Sequence, residues 1–211
     1  MEKILYCKPG EIEGKSFEII GEELQKRGIV IPKEQEAVTK RVIHTTADFD
    51  YAETLVFSEH AVEKARQLIL EGADIVTDTN MALAGINKKV LARCRATTHS
   101  FMADETVASL AKERNVTRAA ISMEFAAKLH KPVIFAVGNA PTALLRLYDY
   151  IQDGTFLPAF VIGVPVGFVN VEAAKERILE TSVPHIVNRG RKGGSNVAAA
   201  ICNALLYELG R

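Results

Sequence analysis

Apolar positions along the chain change their spacing, and each spacing predicts a different element. Phe17, Ile20 and Leu24 recur at helical intervals, and the pattern stops near Gly28, where a first helix is expected to end. A second helix is expected to open at Pro32, whose missing N–H costs nothing in a first turn. It carries Val38, Val42 and Thr45 on one side and Arg41 and His44 on the next, and it runs out within "RVIHTTADFDY". Beyond that point the short apolar runs "TLVF", "DIVT", "RATTH", "PVIFAV" and "PAFVIGV" read as buried parallel strands, with "HIVN" as a candidate sixth. Amphipathic helices are expected between them, in "SEHAVEKARQLILEG", "DETVASLAKER", "TRAAISMEFAAKL", "APTALLRLYDYI" and "NVEAAKERILE", and "SNVAAAICNALLYEL" is expected to form a last one. Ser58 and Asn170 stand where N-caps belong, and Gly72 where a helix should stop.

Strands that alternate with helices need crossover connections, which produce a mainly parallel sheet covered on both faces. The expected fold is therefore α/β: a three-layer α/β/α sandwich with five or six strands, residues 1–211 forming a single domain. In such sheets ligands bind outside the carboxyl ends of the strands, so the loops after the strands are where chemistry is expected.

Composition narrows the function classes. The 26 Lys and Arg residues equal the 26 Asp and Glu residues, so no overall field draws the chain to nucleic acid or to an anionic membrane. Trp is absent, which argues against base-stacking platforms. The apolar runs are too short to span a bilayer, and the first residues lack the apolar core of a signal peptide. Cys7, Cys94 and Cys202 are odd in number and far apart, which argues against a disulfide framework and against zinc. A cytoplasmic globular protein is expected.

Three stretches could carry chemistry. In "GNAPTALLRL" Gly138 permits a sharp turn, Asn139 could cap the next helix, and the exposed N–H groups with Thr142 could hold an anion; a plain strand-to-helix turn is the alternative. In "NRGRKGGSN" Gly193 and Gly194 precede Ser195 at a helix start, and Arg189, Arg191 and Lys192 lie just before. No acidic residue lies between Thr181 and Tyr207 to neutralise them, so either an anion nest or a solvated basic loop fits. Neither a Walker loop nor a GxGxxG fingerprint is present, which disfavours ATP and NAD. "VTDTNMALAGIN" crosses from a strand into a helix, with Gly85 allowing close approach of chain or ligand, and Arg118 opens another helix as a carboxylate clamp or a surface cation.

His44 is the remaining candidate. A cation is favoured at a helix C-terminus, and a histidine there is suited to delivering a proton near neutral pH; a merely structural cap is equally compatible. No serine sits on a G-x-S-x-G elbow, and His60, His99, His130 and His185 are scattered rather than paired with His44 at metal-ligand spacing.

Taken in order, "EGKSFEIIGEE", "RVIHTTADFDY", "TDTNMALAGI", "TRAA", "GNAPTALLRL", "GVPVGFV" and "GRKGGSN" resemble the precorrin-8X methylmutase family, including its cobalt-precorrin-8 form, over nearly the whole chain. Ala47 stands where that family more commonly has Gly, and "TDTNM" also departs from its pattern. The resemblance implies an isomerase of corrin-ring synthesis that moves a methyl group from C11 to C12 of a tetrapyrrole, with no cofactor and no metal held by the protein. It implies that His44 is the proton donor and that the substrate's carboxylates meet Ser16, Arg41, Thr45, Arg118, the Asn139–Thr142 turn and the Arg191–Lys192–Gly193–Gly194–Ser195 stretch. It also implies a homodimer with the site near the subunit interface. A corrinoid carrier and a generic phosphate-binding α/β module are the competing classes.

Overall fold

The structure is a computed structural model and describes residues 8–209, so Cys7 lies outside the described residues. Helices α1 (Ile12–Lys26) and α2 (Lys33–Thr46) lead into a short α3 (Tyr51–Thr54) and the strand β1 (Leu55–Phe57). There follow α4 (Ala61–Leu70), β2 (Asp74–Thr77), α5 (Asn80–Gly85), α6 (Lys88–Arg93), β3 (Thr98–His99), α7 (Glu105–Glu113) and α8 (Arg118–Ala126). Next come β4 (Val133–Val137), α9 (Pro141–Asp153), β5 (Phe160–Gly163), α10 (Val171–Leu179), β6 (His185–Asn188) and α11 (Ser195–Tyr207).

The strands form one sheet in the order β1-β6-β5-β4-β2-β3, so "HIVN" is a strand and the sheet has six. Five strands are parallel, but β1 pairs antiparallel with β6, Leu55 opposite Asn188, against the expectation for "TLVF". The reason is its approach: α2 and α3 deliver the chain to the carboxyl end of β6, so β1 enters the edge from that end without a crossover. Thr54 secures the entry, its carbonyl accepting from the Arg189 N–H and its hydroxyl donating to Asn188 Oδ1 at 2.7 Å.

Side chains alternate across the strands and so build two cores. Ile75, Ile134, Ala136, Phe160, Ile162 and Ile186 face a layer that includes α1, α2, α4, α5 and α11. Val76, Phe135, Val137, Val161 and Val187 face a second layer made by α8, α9 and α10. This is the expected three-layer α/β/α arrangement.

One expected cap differs, and another holds its position without a side-chain bond. The N-cap of α4 is His60, and the Ser58 hydroxyl instead accepts from the His185 N–H at 2.9 Å, tying β1 to β6. Asn170 is at the N-cap of α10 but makes no side-chain capping bond there. Gly72 ends α4 as expected, with φ 88. Helix α6, unmarked by periodicity, is started by Asn87, whose Oδ1 accepts from the Lys89 and Val90 N–H groups.

Connections from the central strands diverge between β2 and β4. The chain leaves β2 toward β3 on one side with α5 in the first layer, and leaves β4 toward β5 on the other with α9 in the second. This divergence is a topological switch point, where a doubly wound sheet opens a crevice at its carboxyl edge.

Candidate functional site

The crevice is filled from within. Asp78, the residue after β2, is buried, and its carboxylate accepts from the backbone N–H groups of Gly138, Asn139 and Ala140 at 2.8, 2.8 and 2.6 Å. Burial pushes the Asp78 carboxyl up while these three donors pull it the other way. The turn amides expected to be open to an anion are therefore engaged by the chain's own carboxylate. The N-cap of α9 is Ala140, with Pro141 at the first turn, so Asn139 does not cap the helix and its side chain stays exposed. Thr142 shares a hydrogen bond with the hydroxyl of Thr117, the N-cap of α8, at 2.8 Å.

The loops after β4, β5 and β6 are stitched to one another through the backbone. The Val166 N–H donates to the Gly138 carbonyl, the Gly194 N–H to Val164 and the Gly167 N–H to Arg191. A Cβ on Gly193 would lie 2.0 Å from the Val164 oxygen, and one on Gly138 would lie 2.7 Å from the Gly194 oxygen. The glycines expected to form an anion nest thus serve chain-to-chain approach, and the Gly194 amide already has its acceptor. The Ser195 hydroxyl bonds that of Thr79 at 2.8 Å, and Thr79 also caps α5 by accepting from the Ala82 N–H. Val166, Phe168 and Val169 leave this rim exposed and apolar, as does Met81 at the start of α5.

The basic stretch is neutralised, contrary to its local sequence. Lys192 Nζ reaches Asp48 Oδ2 at 2.5 Å and Asp50 Oδ2 at 2.6 Å, which raises its own basicity and holds the Asp48 carboxyl below its usual range. Arg191 pairs with Glu172 and lies 5.7 Å from the centre of the Phe168 ring; Arg189 pairs with Glu176. Beneath the loop, the buried Lys175 of α10 donates to the carbonyls of Gly190 at 2.7 Å and Lys192 at 2.8 Å. Desolvation pushes the Lys175 ammonium down to about 8.

His44 occupies the last turn of α2 and is exposed. Both flanking threonine hydroxyls bond back to their own helix: Thr45 Oγ1 donates to the Arg41 carbonyl at 2.9 Å and Thr46 Oγ1 to the Val42 carbonyl at 2.8 Å. The exposed imidazole lies edge-on to the Phe17 ring with centroids 5.4 Å apart. Lys192 joins the β6 loop to Asp48, just past the end of α2, so that loop is anchored to the segment that follows the histidine's helix.

Other expected site residues lie elsewhere or are engaged. Arg41 pairs with Glu13 and lies over the rings of Phe17 and Tyr207. The Ser16 hydroxyl donates to the Ile12 carbonyl of its own helix. Gly85 stands at the end of α5, where a Cβ would meet the Ala199 side chain at 2.9 Å, and its carbonyl accepts from Asn203. Close approach of chain, not ligand, explains that glycine. Arg118 is exposed beside a cleft of about 820 Å³ between α7 and α8, which Lys112 and Thr117 also line.

Sequence reasoning missed Asp78, Lys175 and Phe17. A signal existed for Lys175, which interrupts the apolar stripe of Val171, Ala174 and Ile178 on α10. Among the described residues no group of three or more His, Cys, Asp or Glu side chains is placed to hold a metal ion. No helix among them is long and apolar enough to cross a membrane.

Comparison with known proteins gives a family for this fold. The family model for precorrin-8X methylmutase matches residues 11–208. The cobalt-precorrin-8 methylmutase of Priestia megaterium is 42% identical over 203 residues, covering 96% of this chain and 89% of that protein. The precorrin-8X methylmutase of Pseudomonas aeruginosa is 34% identical, covering 96% of this chain and 98% of its own. The crystal structure of precorrin-8X methylmutase from Thermus thermophilus superposes with a TM-score of 0.85 at 37% identity, over 95% of this chain and 98% of that one.

Proposed function

The chain belongs to the precorrin-8X methylmutase family, and we propose that it moves a methyl group from C11 to C12 of precorrin-8, with or without cobalt, using His44 as the proton donor. As a methylmutase it is an isomerase of cobalamin biosynthesis. The C11–methyl bond breaks as the C12–methyl bond forms, so no atom enters or leaves. A proton lent by His44 to the macrocycle draws electron density along the conjugated system and returns at the end. General-acid help of this kind is worth ~10²–10⁴ in rate.

The observation that supports this reading is the exposed imidazole of His44 at the end of α2, the segment just beyond which is tied to the β6 loop by the Lys192–Asp48 pair. A macrocycle edged with carboxylates needs an apolar surface ringed by cations and hydroxyls. Val166, Phe168 and Met81 offer the apolar part, and Arg191 and Lys192 the charge. Because Lys192 is held by two carboxylates, a substrate carboxylate would bind there by competing with Asp48 and Asp50. The proposal includes a single domain, a homodimer that covers the exposed apolar rim, and a cytoplasmic location.

The test is to incubate the wild type and His44→Ala with precorrin-8 and follow the absorption spectrum of the chromophore. Conversion by the wild type with binding alone by the variant supports the proposal. Equal conversion makes His44 a structural cap. Binding without conversion by both makes the chain a carrier.

A further inference from the structure

The sharpest unassigned feature is the short stretch at the end of β2. Its three residues, Thr77, Asp78 and Thr79, reach different loops. The Thr77 hydroxyl donates to the Thr79 carbonyl at 3.0 Å, which fixes the stretch internally. Asp78 takes the three amides of the β4 turn, and Thr79 takes the Ser195 hydroxyl at the start of α11. The two targets also touch each other, since Gly138 packs against the Gly194 carbonyl and the Ser195 Cα so closely that no side chain fits between them.

We propose that Asp78 is a positioning residue for the site assigned above: its carboxylate sets the shape of the Gly138–Ala140 turn, on which the Gly194–Ser195 loop is seated. This rests on the functional reading only in that the loop forms part of the substrate rim. A carboxylate is needed because all three partners are donors and an ionised Asp is acceptor-only. It also occupies the position at the helix N-terminus that an external anion would otherwise take. The switch-point crevice is thereby a structural joint, and the ligand's own carboxylates are left to the outer cations. Asparagine has the same shape but turns an amide donor toward at least one of the backbone N–H groups.

The experiment compares the wild type with Asp78→Asn by kinetics on precorrin-8 and by backbone amide NMR. The expected result is a KM raised about tenfold or more, as for a lost charge-assisted hydrogen-bond set, with kcat within about threefold because His44 stands on a different element. The amide resonances of Gly138, Asn139 and Ala140 should shift, and those of Gly194 and Ser195 should shift with them. A lower melting temperature with unchanged KM and unmoved Gly194 and Ser195 resonances would overturn the proposal. Should Asp78→Asn fail to fold, Gly138→Ala presses on the same seat from the other side, with its Cβ against Gly194 and Ser195. It should raise KM in the same way, and wild-type KM in that variant would overturn the idea. If the wild type turns over no substrate, the functional reading fails, and the Gly194 and Ser195 resonances judge Asp78 on their own.

Discussion

Phe17 on α1 stands edge-on to the imidazole of His44 on α2, ring centroids 5.4 Å apart and planes at 62°. The Arg41 guanidinium lies 4.8 Å from the centre of the same phenyl ring. One aromatic side chain therefore orients both polar groups of this face of α2. Phe17→Leu keeps apolar bulk but removes the ring, and on the proposed role of His44 it should lower kcat about tenfold with little change in melting temperature, because small misplacements of a reacting group are costly. Steady-state kinetics on precorrin-8 beside a thermal melt would check this.

Ala47 ends α2 in the left-handed region at φ 54. A Cβ there costs roughly 1–2 kcal/mol, and glycine gives back roughly 0.5–1 kcal/mol of that through its greater freedom when unfolded. Ala47→Gly should stabilise the fold by about 0.5–1 kcal/mol. Urea midpoints would show the gain, and turnover should be unchanged because Ala47 offers the site no polar side chain.

The Lys192–Asp48 contact joins two segments far apart in sequence and is pH-dependent through its carboxylate. Lys192 holds the Asp48 carboxyl below the ordinary aspartate value of 3.8. A lowered carboxylate contributes stability above the unfolded value and loses it as pH falls through the folded one. The wild type should thus exceed Asp48→Asn in stability near neutral pH, and the two curves should converge in acid below 3.8. Added salt should shrink the difference, since the pair is exposed and screening acts within about 8 Å at physiological ionic strength.

Lys175 shows the same direction of dependence in an alkaline window. Desolvation lowers its ammonium to about 8 from 10.5, so between those values the unfolded chain holds a proton that the folded chain has released. Stability from this group therefore rises with pH across that window. Against Lys175→Met, the wild type should gain ground from pH 8 to 10.5, as read from parallel unfolding titrations. At pH 7 the variant should bind substrate more weakly, because the Gly190 carbonyl loses its Lys175 donor and the loop loosens.

What the sequence by itself determined was the layering and which helix ends particular residues occupy. Alternate residues such as Ile134 and Phe135 must face opposite layers, and Phe17, Ile20 and Leu24 must share a helix face, because burial is decided within a few residues. The same local logic placed His44 at a helix end and Ser195 at a helix start. Tertiary structure alone decided which charges meet. The acids that neutralise Lys192 lie near residue 50, and the anion that occupies the Gly138–Ala140 turn comes from Asp78, 60 residues before Gly138. No periodicity encodes such pairs, because strand order brings them together after each element has formed. The direction of β1 belongs with them: its apolar run is the same whichever way it enters, and only the position where α2 ends makes it antiparallel.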